Sequence, residues 1–253
     1  MIKEFCIYPL GCEDAKKSIS PPLNSVLFFG PSGCGKTHAS LAIAHHTDAL
    51  FFDISPKNIE GKYVSREERI RLINMVWRTA KSFQPAVIYF DNAEQIYTAK
   101  VKGAVKNKSA ELMKKQLSKV KDAITPEHRI LIIGNTNKPQ HLSPELFDKS
   151  LYFGFPSFSD RCRIIKTEIN KRIGKEYDFE FDVLAQATKD GFSTEAIISS
   201  IDYVLSPMRL ERIKFFPLKI SEFIPILAKH PVMYNNEFPI EQVNIKLYLG
   251  SFV

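Results

Sequence analysis

The sequence has no run of about 18 apolar residues, so it offers no stretch able to cross a bilayer as a helix. Its four cysteines, Cys6, Cys12, Cys34 and Cys162, form no C-x-x-C pair and no metal-ligand spacing. They read as reduced thiols of an intracellular protein, which excludes a disulfide framework and a cysteine-ligated zinc site. The N-terminus carries an early acid, Glu4, and meets Pro9 after only a short apolar run, which makes a poor signal peptide. No internal repeat is visible, and the only biased tract is one of lysines. What is there is an ordinary globular composition, 44% hydrophobic and 25% charged. Its 253 residues can bury one large domain or two small ones.

Charge is unevenly placed. The net charge is +7, and the stretch Lys100–Lys121, with eight lysines against the single acid Glu111, carries all of it. Such a segment suits an acidic partner, such as a tubulin tail or a nucleic acid, or is simply a solvated helix face beside a loop. Lysine without interleaved arginine and aromatics does not read as base recognition, so nucleic acid is not the expected partner.

One stretch organises the chain. Gly30-Pro31-Ser32-Gly33-Cys34-Gly35-Lys36-Thr37 fits G-x-x-x-x-G-K-[ST] at every fixed position. Before it, Ser25 to Phe29 is an apolar run of strand type. After it, Thr37 to His46 has helical spacing and no Pro or Gly. Glycines let backbone N–H groups converge on phosphate oxygens, and a following helix adds its positive N-terminal dipole. The nucleotide-binding candidates are therefore Pro31, Ser32, Gly33, Cys34, Gly35, Lys36, Thr37 and His38, with Lys36 directed at the β- and γ-phosphates. The Thr37 hydroxyl is a candidate Mg²⁺ ligand. Its partner is an acid at the end of a second buried strand: Ala86 to Phe90 is an unbroken apolar run, and Asp91 follows it.

Further elements alternate along the chain. Residues 1–22 read as a short helix or strand and a polar connector. Strands are expected at 25–30, 50–54, 86–90, 129–134 and 151–155, with helices at 66–83 and 107–122 and a loop at 58–63. This is an α/β, three-layer, mostly parallel five-stranded phosphate-loop fold. After Pro156 the pattern turns helical, at 160–172, 181–188 and 194–205. The expected divisions are 1–156, a helical lid at 157–216, and a tail from 217 that mixes short helices with extended segments. Hydrolysis needs a group that orients or deprotonates water. The candidates are Asn92, which can orient but not accept a proton, Glu94 two residues on, and Asn137 as a γ-phosphate sensor.

The phosphate loop, the strand ending in Asp91, Gly134-Asn135-Thr136-Asn137-Lys138-Pro139 and Gly191-Phe192-Ser193-Thr194, in this order, resemble an AAA+ ATPase domain, most like its microtubule-severing branch. The resemblance implies ATP or ADP with Mg²⁺. It matches Gly134–Pro139 to a G-A-T-N-x-P motif whose asparagine, Asn137, is the sensor, and Gly61-Lys62-Tyr63-Val64 to a pore loop that grips peptide. It matches Gly191 to Ala196 to the start of the lid helix. Cys6–Gly11, Pro22–Leu27, Ser55–Tyr63 and Pro217–Phe223 look most like the IQ- and AAA-domain proteins of the nexin–dynein regulatory complex of cilia. No I-Q-x-x-x-R-G motif is present, so only the ATPase portion is represented. Two departures stand out. The family's glutamate after the magnesium acid is Asn92, and the arginine pair expected between Leu142 and Phe155 is missing, with Lys149 the only cation there. Lysine lacks the forked donors of arginine. The implied function is an ATP-binding module with slow or absent hydrolysis, a structural or regulatory part of a cytoplasmic, cytoskeletal assembly, the axoneme. Its partners would be axonemal or microtubule-associated proteins, and an acidic tubulin surface through Lys100–Lys121. No membrane and no closed hexameric ring is expected. The alternative is an active remodelling ATPase using Glu94 and Tyr63.

Overall fold

Burial on both faces decides the architecture. In the computed structural model, which describes residues 1–19, 23–63, 65–97, 108–139, 142, 147–188 and 191–230, every residue of three strands is buried: β1 (Ser25–Phe29), β3 (Ala86–Phe90) and β4 (Ile130–Thr136). With β2 (Leu50–Asp53) and β5 (Lys149–Tyr152) they form one parallel sheet in the order β2-β3-β4-β1-β5. A parallel sheet must be covered by helices on both sides, and that is why its strands read as apolar runs rather than alternating ones. β1 lies between β4 and β5, so the chain leaves it at an interior position of the sheet's carboxyl edge, the edge where ligands of open α/β sheets bind.

The described chain divides into two compact units. The first holds the sheet, within 1–30 and 36–153. Its helices are α1 (Tyr8–Gly11), α2 (Glu13–Ser18), α3 (Lys36–His46), α4 (Pro56–Ile59), α5 (Arg66–Ser82), α6 (Ala93–Tyr97) and α7 (Lys108–Ala123), with a π-helical turn, Lys3–Ile7, ahead of α1. α5 starts on a capping box, in which Ser65 and Glu68 satisfy each other's backbone N–H groups. It buries Leu72, Ile73, Val76 and Ala80, one helical stripe. The second unit, residues 31–35 with the chain from 154 to 230, is helical: α8 (Phe158–Ile173), α9 (Phe181–Ala187), α10 (Thr194–Val204), α11 (Pro207–Arg212) and α12 (Ile224–Leu227), with a 3-10 turn at Ile220–Glu222. Gly174, at φ 78, ends α8 in the left-handed conformation that favours glycine. Ile165, Ile169, Leu184, Ile197, Ile201 and Phe223 belong to the core of this unit.

Some local expectations are corrected. Of the helix or strand expected at the N-terminus, the helical form is the one present, as three short turns between Lys3 and Ser18. The loop expected at 58–63 begins as the end of α4, because Pro56 at the first helical position presets the backbone. The fifth strand is Lys149–Tyr152, ending three residues before the limit expected. Its start is set by Asp148, whose carboxylate accepts from the N–H groups of Asn24 and Ser25 and from the Ser25 hydroxyl, and which Lys121 pairs at 2.8 Å. The lysine stretch through residue 107 and the tail beyond 230 lie outside the described residues.

The N-terminal turns are held by a buried amine. Lys16, 4% exposed, donates its Nζ to the backbone carbonyls of His128 and, at 2.9 Å, Ile130. Burial lowers its pKa to about 8. A neutral amine still carries two N–H donors, enough for both carbonyls. The unfolded chain holds this proton up to a higher pH than the folded chain does, so stability rises with pH through this window. Lys16→Met should cost about 1–2 kcal/mol at neutral pH by stripping two carbonyls of a donor. The gap between wild type and variant should widen as pH rises above 8. Urea unfolding at pH 7, 8.5 and 9.5 measures both.

Candidate functional site

The loop after β1 is built on backbone conformations that side chains resist. Gly30, Gly33 and Gly35 have φ of 143°, 74° and 88°. At Gly30 a Cβ would lie 2.0 Å from the Phe153 carbonyl oxygen, so the close approach of the backbone after β5 also excludes any side chain. Gly33 is confined within the second unit. Its carbonyl accepts from the Glu195 N–H at 3.0 Å, and a Cβ there would meet Glu195 Oε2 and Ser193 Oγ at 2.9 Å. Ser193 caps α10 by accepting from the Ala196 N–H.

Within the first unit, Lys36 opens α3 and is buried, its Nζ donating to the Gly30 carbonyl at 2.8 Å. The ammonium is thereby held at the carbonyl where the loop begins. Thr37 follows it, and its hydroxyl meets two donors from the sheet. Tyr89 of β3 donates its phenolic hydroxyl at 3.2 Å, and Asn135 of β4 donates Nδ2 at 3.4 Å. Asn135 Nδ2 also donates to the Tyr89 hydroxyl at 2.9 Å. Burial pushes the Tyr89 pKa up to about 12, and the negative charges of Asp91 and Asp53 add to the rise. Tyr89 therefore stays a neutral O–H donor through the working pH range. Asn135 is fully buried, and its Oδ1 has no hydrogen-bond partner among the described residues. An unsatisfied buried acceptor costs on the order of 1–3 kcal/mol, which marks this as a place where local stability is given up.

Asp91 follows β3 directly. Its N–H donates to Ser55 Oγ at 2.8 Å, and Ser55 in turn donates to Asp53 at 2.5 Å, so two strand ends are laced together. Asp91 Oδ1 accepts from the Asn92 N–H at 2.9 Å. Asn92 sits at φ 51, the left-handed region that asparagine tolerates better than most residues. Its carbonyl accepts from the Gln95 N–H as α6 begins. Glu94, in the first turn of α6, accepts from the Thr136 hydroxyl at 2.6 Å and is held at the end of β4. Asn137, one residue past β4, is exposed.

Thr37 and Asn135 thus meet at one tyrosine hydroxyl, with Lys36 adjacent to Thr37 in the chain and Asp91 two residues beyond the tyrosine at the end of β3. The Thr37 hydroxyl and the Asp91 carboxylate are hard oxygen donors of the kind Mg²⁺ takes, and Lys36, at the start of α3, is the kind of cation that meets phosphate. The residues fit both groups. Pro31, Ser32 and Cys34 form the remainder of the loop, and His38 is exposed on α3. Tyr63 is half-buried and its carbonyl accepts from Arg69, while Val64 beside it lies outside the described residues. Sequence reading missed Tyr89, Asn135 and Ser55. The available signals were a phenol in an otherwise apolar strand and an amide where the motif has alanine.

A parallel sheet with a glycine loop and lysine after its first strand and an acid after its third is a phosphate-loop nucleotide-binding protein. The model of the ATPase family associated with various cellular activities, AAA, matches residues 26–154, and the chain belongs to that family. It is 30% identical over 247 residues to dynein regulatory complex protein 11 of Mus musculus, covering 94% of this chain and 29% of that protein. It is 28% identical to spastin of Danio rerio over 214 residues, 82% of this chain and 37% of that protein. The chain therefore spans about a third of the length of these relatives. The crystal structure of the FIGL-1 AAA domain in complex with ADP superposes with a TM-score of 0.76, covering 98% of this chain and 86% of that one at 23% identity, a likeness of fold. Among the described residues no helix is long and apolar enough to cross a membrane.

Lys36→Met removes the ammonium while keeping the apolar stem packed. Nucleotide affinity should fall at least tenfold, the loss of one charge-assisted contact of about 1.5–3 kcal/mol. Titration of a fluorescent ADP analogue measures this, and a single cooperative melt, lowered only by the lost Gly30 contact, shows that the fold survives.

Proposed function

We propose that this chain is an ATP-binding AAA module that hydrolyses slowly or not at all and serves as a structural or regulatory part of a microtubule-based assembly, the ciliary or flagellar axoneme. The observation that carries the reading is a contrast of residue types. Lys36 is folded back onto the loop carbonyl, Thr37 follows it and Asp91 ends the strand that carries Tyr89, the donor to Thr37, while the position after Asp91 is Asn92, held at φ 51. Lys36 and the loop N–H groups would hold the phosphates, and Thr37 and Asp91 would hold Mg²⁺. When bound, the metal neutralises charge on the phosphates. Asn92 can orient a water by hydrogen bonding, but an amide does not take its proton. The sequence also lacks the arginine pair between Leu142 and Phe155, and an arginine reaching a neighbouring site is worth about 10³–10⁵ in rate where it operates. The similarity to dynein regulatory complex protein 11 supports the axonemal placement, and the similarity to spastin supports a microtubule-associated partner.

A second reading, an active remodelling ATPase, draws on Glu94. Its carboxylate is anchored by Thr136 beside the end of β4, close to the strand edge where a base would work. The two readings part on one comparison. Steady-state turnover of ATP should be slow in wild type and at least tenfold faster in Asn92→Glu, despite about 1 kcal/mol of strain from a glutamate at positive φ. Wild-type turnover at the rate of a severing enzyme, abolished by Glu94→Gln, would establish the second reading instead.

A further inference from the structure

The donors around Thr37 bear on how this site takes a metal. A threonine hydroxyl oxygen has two lone pairs, and a cation needs one of them. Here the oxygen accepts from Tyr89 at 3.2 Å and from Asn135 at 3.4 Å, so both lone pairs face O–H or N–H donors. A donor presents the positive end of its dipole. Where a Mg²⁺ ion is to be accepted, an adjacent donor hydrogen competes for the lone pair and repels the charge.

The competing pair is itself fixed. Tyr89 belongs to a fully buried strand, and its ring stacks on Phe51 at 5.1 Å. Asn135 is fully buried in β4, paired in register with Phe28 of β1. The bond from Asn135 Nδ2 to the Tyr89 hydroxyl, at 2.9 Å, orients the phenol so that its own proton is left for Thr37. Among the described residues Oδ1 has no partner, and the amide directs its N–H groups at these two oxygens.

We propose that Tyr89 and Asn135 are positioning residues that hold the Thr37 hydroxyl in a donor-saturated state and so weaken its hold on Mg²⁺. Nucleotide binding to this chain then depends less on Mg²⁺ than the loop alone would make it. The site favours retention of nucleotide through Lys36 and the loop over tight metal coordination. This rests on the reading that Thr37 is a metal ligand, and it deepens that reading.

The test compares nucleotide affinity in EDTA with affinity at saturating Mg²⁺, by titration of a fluorescent ADP analogue into the full chain. The ratio of the two dissociation constants is the metal's contribution. Asn135→Ala and Tyr89→Phe each remove one donor and should each raise that ratio about fivefold, the worth of one net hydrogen bond. The double variant should exceed either. Affinity in EDTA should stay within twofold of wild type, whereas a merely structural role for the pair would move it as well. A ratio that is unchanged or lower in variants that bind as wild type does in EDTA would overturn the proposal while leaving the nucleotide site intact. Failure of wild type to bind nucleotide under either condition would instead remove the proposed function, and this inference with it.

Discussion

The site depends on the reversal of the chain at Gly30. β1 sits between β4 and β5, and the backbone following β5 passes so close that a Cβ at Gly30 would overlap the Phe153 carbonyl oxygen. The chain can leave the sheet only with a positive φ and no side chain. From that exit the Lys36 ammonium, in the first turn of α3, folds back onto the Gly30 carbonyl. Packing of the sheet and chemistry of the loop are therefore one constraint. The same residue whose small size permits β5 to pair beside β1 also gives the phosphate loop its shape.

From that exit the polar groups follow in layers. Thr37 meets Tyr89 and Asn135 from two neighbouring strands, while Asp91 is laced through Ser55 to Asp53 on β2. The first contacts tie the start of α3 to β3 and β4, and the second tie the end of β3 to that of β2, so side chains hold the carboxyl edge of the sheet where the backbone ladder stops. Such an edge is pre-organised, and pre-organisation favours ligand retention because less ordering remains to be done on binding. Turnover asks for something different: a base and a cation aimed at the transition state. Asn92, held at φ 51 between Asp91 and α6, supplies neither.

Much of this was legible in the residues, for identifiable reasons. Strands buried on both faces announce themselves as unbroken apolar runs, so Ala86–Phe90 and the strand before the loop were readable almost to the residue. The loop motif carried Lys36 and Thr37, because its spacing is dictated by phosphate geometry rather than by packing. What stayed hidden was lateral. Asn135 looks like one of several polar residues ending a strand, and only the register β1–β4 and β3–β4 brings it to Tyr89 and Thr37. Lys16 reads as one lysine among many. Its burial against carbonyls more than a hundred residues away is a property of the fold, not of its neighbours in sequence. The fifth strand was placed too late because Asp148, which clamps β1 to β5, gives no local signal of a strand start.

The central claim is that the chain holds a magnesium nucleotide and leaves it largely uncut. It is tested most directly by incubating the protein with Mg²⁺ and ATP for hours, removing free nucleotide, and determining the crystal structure together with the chemical identity of the bound nucleotide. The account predicts an intact triphosphate, its β- and γ-phosphates on Lys36 and the loop N–H groups, with Thr37 and Asp91 facing the metal. Bound ADP with stoichiometric release of phosphate, or a loop that captures no nucleotide, would contradict it.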